Sequence, residues 1–411
     1  MNKDTSHAMQ SVGSLPPVSE RLARLPPYGF AILVGRIQAM IATGQDVIRL
    51  DMGSPDLPPP DHVIEALSAS ASDPHNHSYG SYRGHPIFRQ AVAAYYQRRF
   101  GVTLDPDREV LPLIGSKEGI VNLALAYVDR GDAVIAPSIN YPAYSMGTLM
   151  AGGRVILAPL DPARDYRLDL DAIRAHPDLE HAKLLWVNYP NNPTGATADL
   201  AFYAELVAFC RQYGLLLCSD NPYAEIVFDG YQAPSALQAD PEKSVTVEFM
   251  SLSKTYNMAG WRLGACVGNR DAIEALLVVK SNVDTGHFRP IYDAGAAALN
   301  DTPQAWIDAR NARYQTRRDR ILAACPRIGL EPFRSPGSLY IWARVVAGDD
   351  RQYTNAALER ALVSFTPGSL FGEAGHGWVR ISLAMQEHRL EEALDRLIRW
   401  YEARQHPDAS A

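Results

Sequence analysis

Residues 251–264 read Ser251-Leu252-Ser253-Lys254-Thr255-Tyr256-Asn257-Met258-Ala259-Gly260-Trp261-Arg262-Leu263-Gly264. One lysine, Lys254, stands among hydroxyl side chains with Arg262 eight residues on, and the stretch follows a β-type apolar run over 245–250. A lysine at the end of a buried strand is costly unless its charge is neutralised, paired or used. A Schiff base to a cofactor aldehyde is one such use, and nearby hydroxyls with a cation then suit a phosphate on the same cofactor. A solvated lysine in a polar loop is the plainer reading of a Ser-Lys pair taken alone, so the choice falls to the rest of the chain.

Working outward, several apolar runs end in polar residues of a similar kind. Residues 215–220, Leu-Leu-Leu-Cys-Ser-Asp, show no polar alternation, the pattern of a strand buried on both faces of a parallel sheet. That run ends at Asp220, with Tyr223 three residues beyond. The run 183–189 leads into Pro190-Asn191-Asn192-Pro193-Thr194-Gly195, and 133–137 leads to Asn140-Tyr141-Pro142. Residues 110–114 read as a short strand, 115–119 as a tight turn and 120–128 as an apolar helix. Such a unit offers free backbone N–H groups and the positive end of a helix dipole to an anion. A helix over 200–213, a strand over 262–268 and a long helical region over 281–299 complete the series. Repeated strand–helix pairs from residue 110 onward predict a mostly parallel α/β sheet with right-handed crossovers and helices on both faces.

The two ends differ from this core. Apolar Phe30, Leu33, Val34, Ile37 and Ile41 recur at helical spacing over 28–43, and Gly44 ends that helix. A strand over 47–53 runs into the proline-rich turn 54–58. Tyr79-Gly80-Ser81-Tyr82-Arg83-Gly84 precedes a helix over 87–100. Past residue 300 come a charged helix over 303–325, strands over 338–342 and 378–382, and a closing helix over 387–404, together a small α+β domain. The expected organisation is a disordered tail over 1–18, an N-terminal segment over 19–45 packing on the small domain, a large cofactor domain over 46–300 and a small domain over 301–411.

Composition narrows the class. At 411 residues, two lobes are the natural division. Apolar content of 47% and charged content of 21% describe an ordinary globular protein. A net charge of -7 argues against nucleic acid as the main partner. Cys210, Cys218, Cys266 and Cys325 form no Cys-x-x-Cys pair and no cluster with metal spacing, so no metal is expected and the thiols read as reduced core residues. The first twenty residues lack an apolar core of signal-peptide length, and no run reaches roughly eighteen apolar residues. The expected location is the cytoplasm, with no membrane span.

Three segments, in this order, carry a resemblance: Asn-Pro-x-Gly after an apolar strand, Asp-Asn-Pro-Tyr after the next, and Ser-x-Ser-Lys followed by Gly-x-Arg-Leu-Gly. They resemble the signature of the class I and II aminotransferases, fold-type I enzymes dependent on pyridoxal 5'-phosphate, and matching segments run from about residue 28 to residue 400. The resemblance implies a role for each candidate. Lys254 holds the cofactor and shuttles the substrate proton. Ser116, Lys117, Ser251 and Arg262 anchor its phosphate, together with Tyr79 of the neighbouring subunit, so the active site belongs to a homodimer. Tyr141 stacks on the pyridine ring, Asn192 and Tyr223 bond its phenolate oxygen, and Asp220 pairs with its nitrogen. Gly53 brings backbone close to the substrate carboxylate and Arg380 grips it. On residue type alone Gly53 is a turn residue, Lys117 a solvated first-turn residue, Tyr141 a core tyrosine, Asp220 a helix cap and Arg380 a surface strand charge.

The substrates implied are an L-amino acid and a 2-oxo acid, the second oxo acid being 2-oxoglutarate. Residues 113–119, the Asp-Asn-Pro-Tyr segment and 281–286 look most like the LL-diaminopimelate branch, in lysine biosynthesis. One position departs: where plant-type enzymes carry a glutamate that reads the distal ammonium, this chain has Tyr82. Alanine, aromatic or broad-range transamination therefore stays open, as does carbon–sulfur β-elimination on the same fold. A cofactor-binding transcription regulator would need an N-terminal DNA-binding domain, for which 1–27 is too short.

Overall fold

The computed structural model describes residues 18–405 apart from Arg24. The expected tail lies outside the described residues except for Val18.

Seven strands form the central sheet, in the order Val110–Leu113, Gly264–Gly268, Thr246–Ser251, Leu216–Asp220, Ala182–Val187, Ala133–Pro137, Arg154–Ala158. All run parallel except Gly264–Gly268, which is antiparallel to both its neighbours. Strands Val110–Leu113, Ala133–Pro137 and Thr246–Ser251 are buried along their whole length, which is why they read as apolar runs without alternation. The crossovers deliver their polar end residues to one edge, where ligands bind in open α/β sheets.

The helix after the first strand spans Ser116–Tyr127 and so begins four residues earlier than the helix expected over 120–128, taking up most of the turn expected over 115–119. Only Gly115, at φ 72°, needs the left-handed region. Gly119 is helical, and it is glycine because a Cβ there would lie 2.5 Å from Leu113 Cδ1 and 3.0 Å from Phe249. Glu118 accepts from the Ile114 N–H at 3.0 Å and so satisfies backbone at the same turn. The expected helix over 281–299 is also broken. Residues 281–283 end helix Arg270–Val283, and the next helix begins at Arg289. Between them the Asp284 carboxylate takes the Lys280 ammonium at 2.8 Å and the Gly286 N–H at 2.8 Å, with Gly286 at φ 81°. Arg262 lies outside the strand expected over 262–268, at φ 58°.

The small antiparallel sheet runs Thr366–Pro367, Trp378–Ser382, Tyr340–Val345, Leu330–Phe333. Its core includes Tyr314 and Ile321 from helix Gln304–Ala324 and Leu390 and Leu397 from the closing helix Glu387–Gln405. Ile48 and Leu50 join the same core, and Ile48–Arg49 pairs in parallel with Val363–Ser364. The N-terminal helix Gly29–Ala42 lies along this domain: Ile37 packs with Val47 and Leu358, and Phe30 meets Phe371 edge-on at 5.3 Å. All four cysteines are buried and free. Among the described residues no helix is long and apolar enough to cross a membrane.

Candidate active site

A cavity of about 300 Å³ opens between the polar edge of the large sheet, the N-terminal helix and the small sheet. Lys254, Ser251, Arg262, Ser116, Lys117, Tyr141, Asn192, Asp220, Tyr223, Gly53 and Arg380 all line it. Tyr79 and Tyr82 do not; they are 92% and 53% exposed on the isolated chain.

Lys254 sits in the single helical turn Leu252–Thr255, whose first N–H groups are met by the Ser251 hydroxyl, 3.2 Å from the Ser253 nitrogen. Arg310, itself buried, donates to the carbonyls of Lys254, Thr255 and Glu225 and so fixes that turn from behind. The Lys254 ammonium donates to the Gly53 carbonyl. Burial pushes its pKa down, the Arg380 and Arg262 charges add to this, and Tyr340 opposes it.

Asp220 accepts the Tyr144 hydroxyl at 2.6 Å on Oδ2, while its buried Oδ1 has no partner among the described residues. Burial raises the carboxyl to about 7, with the Glu248 charge adding to the rise and the Tyr144 bond opposing it. Tyr144 is fixed by stacking on Trp186, centroids 4.9 Å apart. Asn188 ties two strand-end loops together, donating to the Asp220 carbonyl at 2.6 Å and accepting the Asn192 N–H at 2.7 Å.

Arg380 is buried and donates to Asn192 Oδ1 at 2.9 Å, the Asp51 carbonyl at 2.9 Å and Thr366 Oγ1 at 3.2 Å. Tyr340 lies beneath it, ring centroid 4.1 Å from the guanidinium carbon. The Tyr340 hydroxyl is 3.3 Å from that of Tyr223. Burial alone would raise Tyr340, yet the Arg380 and Lys254 charges and the Tyr223 bond bring it below its ordinary value; burial drives Tyr223 up. Gly53 has to be glycine here, since a Cβ would lie 2.6 Å from the Tyr340 oxygen.

At the other end, the Arg262 guanidinium occupies the space a side chain on Gly115 would fill, beside the start of helix Ser116–Tyr127. The Arg262 carbonyl accepts from His287 Nε2 at 2.7 Å. Lys117 stands over the Tyr28 ring at 4.7 Å, and Tyr141 lies edge-on to Tyr144.

These residues fit pyridoxal 5'-phosphate. The orphaned Asp220 oxygen is a buried acceptor for a ring N–H, the arginine beside an uncapped helix N-terminus is a phosphate cradle, and Lys254 is pushed toward the neutral amine that an aldehyde requires. The sequence reading missed Tyr340, Tyr144, Asn188 and Arg49. Tyr144 lies three residues after Tyr141, in the first turn of helix Ala143–Ala151, and Arg49 alternates with Asp51 in a strand pattern; both are signals that could have found them.

Residues 45–397 match the family described as aminotransferase class I and II, and the chain belongs to that family of pyridoxal 5'-phosphate-dependent enzymes. It is 46% identical over 382 residues to the LL-diaminopimelate aminotransferase of Moorella thermoacetica, covering 93% of this chain and 97% of that one. It is 46% identical over 380 residues to the protein of the same name from Desulforudis audaxviator, covering 92% and 96%. Among solved structures, substrate-bound BacF from Bacillus subtilis superposes with a TM-score of 0.89 at 34% identity, covering 94% of this chain and 98% of that one.

Proposed function

We propose that this aminotransferase acts on LL-diaminopimelate with 2-oxoglutarate as amino acceptor, in lysine biosynthesis, as a cytoplasmic homodimer. The observation that carries the reading is that relatives bearing that name match it along nearly its whole length. Four buried thiols suit a reducing compartment.

When bound, pyridoxal 5'-phosphate supplies an aldehyde to carry the amino group and a ring to take up the electrons released at the substrate Cα. Lys254 would hold it covalently. Ser251, Arg262, Ser116, Lys117 and Tyr79 of the partner subunit would hold its phosphate, and Tyr141, Asn192, Asp220 and Tyr223 its ring. Arg380 binds the substrate α-carboxylate two-pronged, with the Gly53 backbone alongside. That grip sets the orientation of the Cα–H bond. The Lys254 amine, driven toward neutrality by burial, would take the Cα proton as general base and, as general acid, pass it to C4' of the cofactor. Asp220, with its unpartnered buried Oδ1, would hold the proton on the ring nitrogen. The same groups then run the sequence in reverse on the acceptor. We divide the chain functionally into a large domain over 46–300 that holds the cofactor and a small domain over 301–411, covered by 19–45, that carries Arg380.

Tyr82 favours a second reading, an alanine, aromatic or broad-range donor, since a tyrosine there brings no carboxylate to a distal ammonium. The test is turnover of LL-diaminopimelate with 2-oxoglutarate by the purified holoenzyme. Brisk turnover of alanine or phenylalanine with none of LL-diaminopimelate overturns the donor assignment.

A further inference from the structure

The small domain carries a cleft of about 740 Å³ that shares no lining residue with the active-site cavity. Arg396, Arg399, Trp400 and Arg404 line it from the closing helix Glu387–Gln405, at a spacing that puts them on one helical face. Arg360 and Leu362, at the end of the segment Ala357–Ala361, supply the rest of its wall, and among the described residues no carboxylate lines it. Cations nearby are neutralised one by one. Arg313, Arg320 and Arg327 pair with Glu387, Glu391 and Glu402 of the closing helix, Arg389 pairs with Asp46 and Glu392, and Glu359, beside Arg360, is taken by Arg36. Arg396 is held by Asp46 and Glu392, both at 2.5 Å. Arg360, Arg399 and Arg404 are exposed and have no ion pair or hydrogen bond among the described residues.

Four guanidinium groups around one concavity repel one another, the more so in a chain whose net charge is -7 and whose acids could have paired them. An anion with several charges removes that repulsion. Guanidinium forks match phosphate oxygens two at a time, and Arg396, already fixed, loses little freedom on binding. From Arg396 to Arg404 the helix rises about 12 Å, a length that a chain of phosphates covers and a single tetrahedral anion does not. Trp400, half-buried and packed edge-on against Tyr353 at 5.4 Å, adds a flat apolar wall on which a heterocycle can stack. We infer that this cleft is a second binding site, for an oligophosphate anion, carried by a nucleoside triphosphate or presented as inorganic triphosphate. The site is separate from transamination chemistry and stands whichever amino acid is the donor.

The test is calorimetric titration of the cofactor-loaded enzyme, freed of excess cofactor and of magnesium, with inorganic triphosphate, ATP and sulfate at matched ionic strength. Triphosphate and ATP are expected to bind about ten-fold or more tighter than sulfate. An ATP advantage of about ten-fold or more over triphosphate identifies the nucleotide as the source, the worth of a base stacked on an aromatic ring; comparable affinities identify the inorganic anion. In the double variant Arg360→Ser, Arg399→Ser the binding of both should weaken about ten-fold or more. Neither side chain has a partner to lose, so the urea midpoint should stay where it is. Three results overturn the inference: no saturable binding of either triphosphate, sulfate binding as tightly as they do, or triphosphate binding unchanged in the double variant, which would put the probe elsewhere, as in the cradle beside Gly115.

Discussion

Tyr144 and Asp220 share one short hydrogen bond, 2.6 Å from the phenol to Oδ2, and it leaves the other carboxylate oxygen buried and without a donor. Burial poises the carboxyl near neutral pH, at about 7, against the lowering effect of the Tyr144 bond. A cofactor whose ring nitrogen carries a proton needs the ionised form. Binding of pyridoxal 5'-phosphate to the cofactor-free enzyme should weaken as pH falls below about 7, by about ten-fold per unit at the limit. In Tyr144→Phe the bond that lowers Asp220 is gone, so the break should move to higher pH. Absorbance titrations across pH 5–9 check both.

The same carboxyl makes a stability prediction. Its folded value lies above the ordinary 3.8, so between about 4 and 7 the folded chain keeps a proton that the unfolded chain has released. Stability of the cofactor-free protein therefore falls as pH rises through that window, by about 1.4 kcal/mol per unit at most, and levels above it. Asp220→Asn should remove this loss. Urea denaturation of the cofactor-free proteins should find the variant the more stable by about 2–4 kcal/mol at pH 8, with the gap closing toward pH 4, although it binds cofactor poorly.

Arg317 has no exposed side-chain surface and holds Asp56 through two bonds, at 2.8 and 3.0 Å, together with the Leu383 carbonyl at 3.0 Å. Asp56 follows the Gly53 turn, so this pair pins the loop over the cavity to the helix Gln304–Ala324 that joins both domains. Asp56→Ala leaves the buried Arg317 with only the partly exposed Glu387 carboxylate, at 3.2 Å, as a charged partner and should cost about 1–3 kcal/mol. The check is a urea midpoint lowered accordingly, with KM raised because Gly53 is no longer held.

Tyr79 is almost wholly exposed on one chain, and the proposed homodimer would give it a task. Tyr79→Phe should weaken cofactor affinity about ten- to 150-fold, the worth of a hydrogen bond to a charged group, without changing the urea midpoint of the dissociated chain. Sedimentation velocity should find a dimer.

Much of the fold was legible because buried parallel strands leave an unmistakable apolar run with a polar terminus. Helix Leu200–Tyr213 and strands Ala133–Pro137 and Trp378–Ser382 have the boundaries expected from such patterns. The misreadings came where a residue serves packing rather than local conformation: Gly119 looks like a turn residue and is a helix residue pressed against Leu113. The break at 284–288 turns on the Lys280–Asp284 bond, a side-chain contact that periodicity does not report. Residues at strand ends, such as Asp220 and Ser251, could be singled out because one position in the chain defines them. Tyr340 could not. It reaches the cavity from the small sheet only where that sheet closes on the large one, and that closure has no signature in local sequence.

The most direct measurement is turnover and visible absorption of the Lys254→Ala protein beside the wild type, both incubated with pyridoxal 5'-phosphate. The wild type should turn yellow and transaminate, while the variant should lose the covalent absorption band and at least about 10³-fold in kcat. A variant that keeps full turnover, or a wild type that stays colourless, would contradict the assignment of Lys254 as the residue that binds the cofactor and moves the proton.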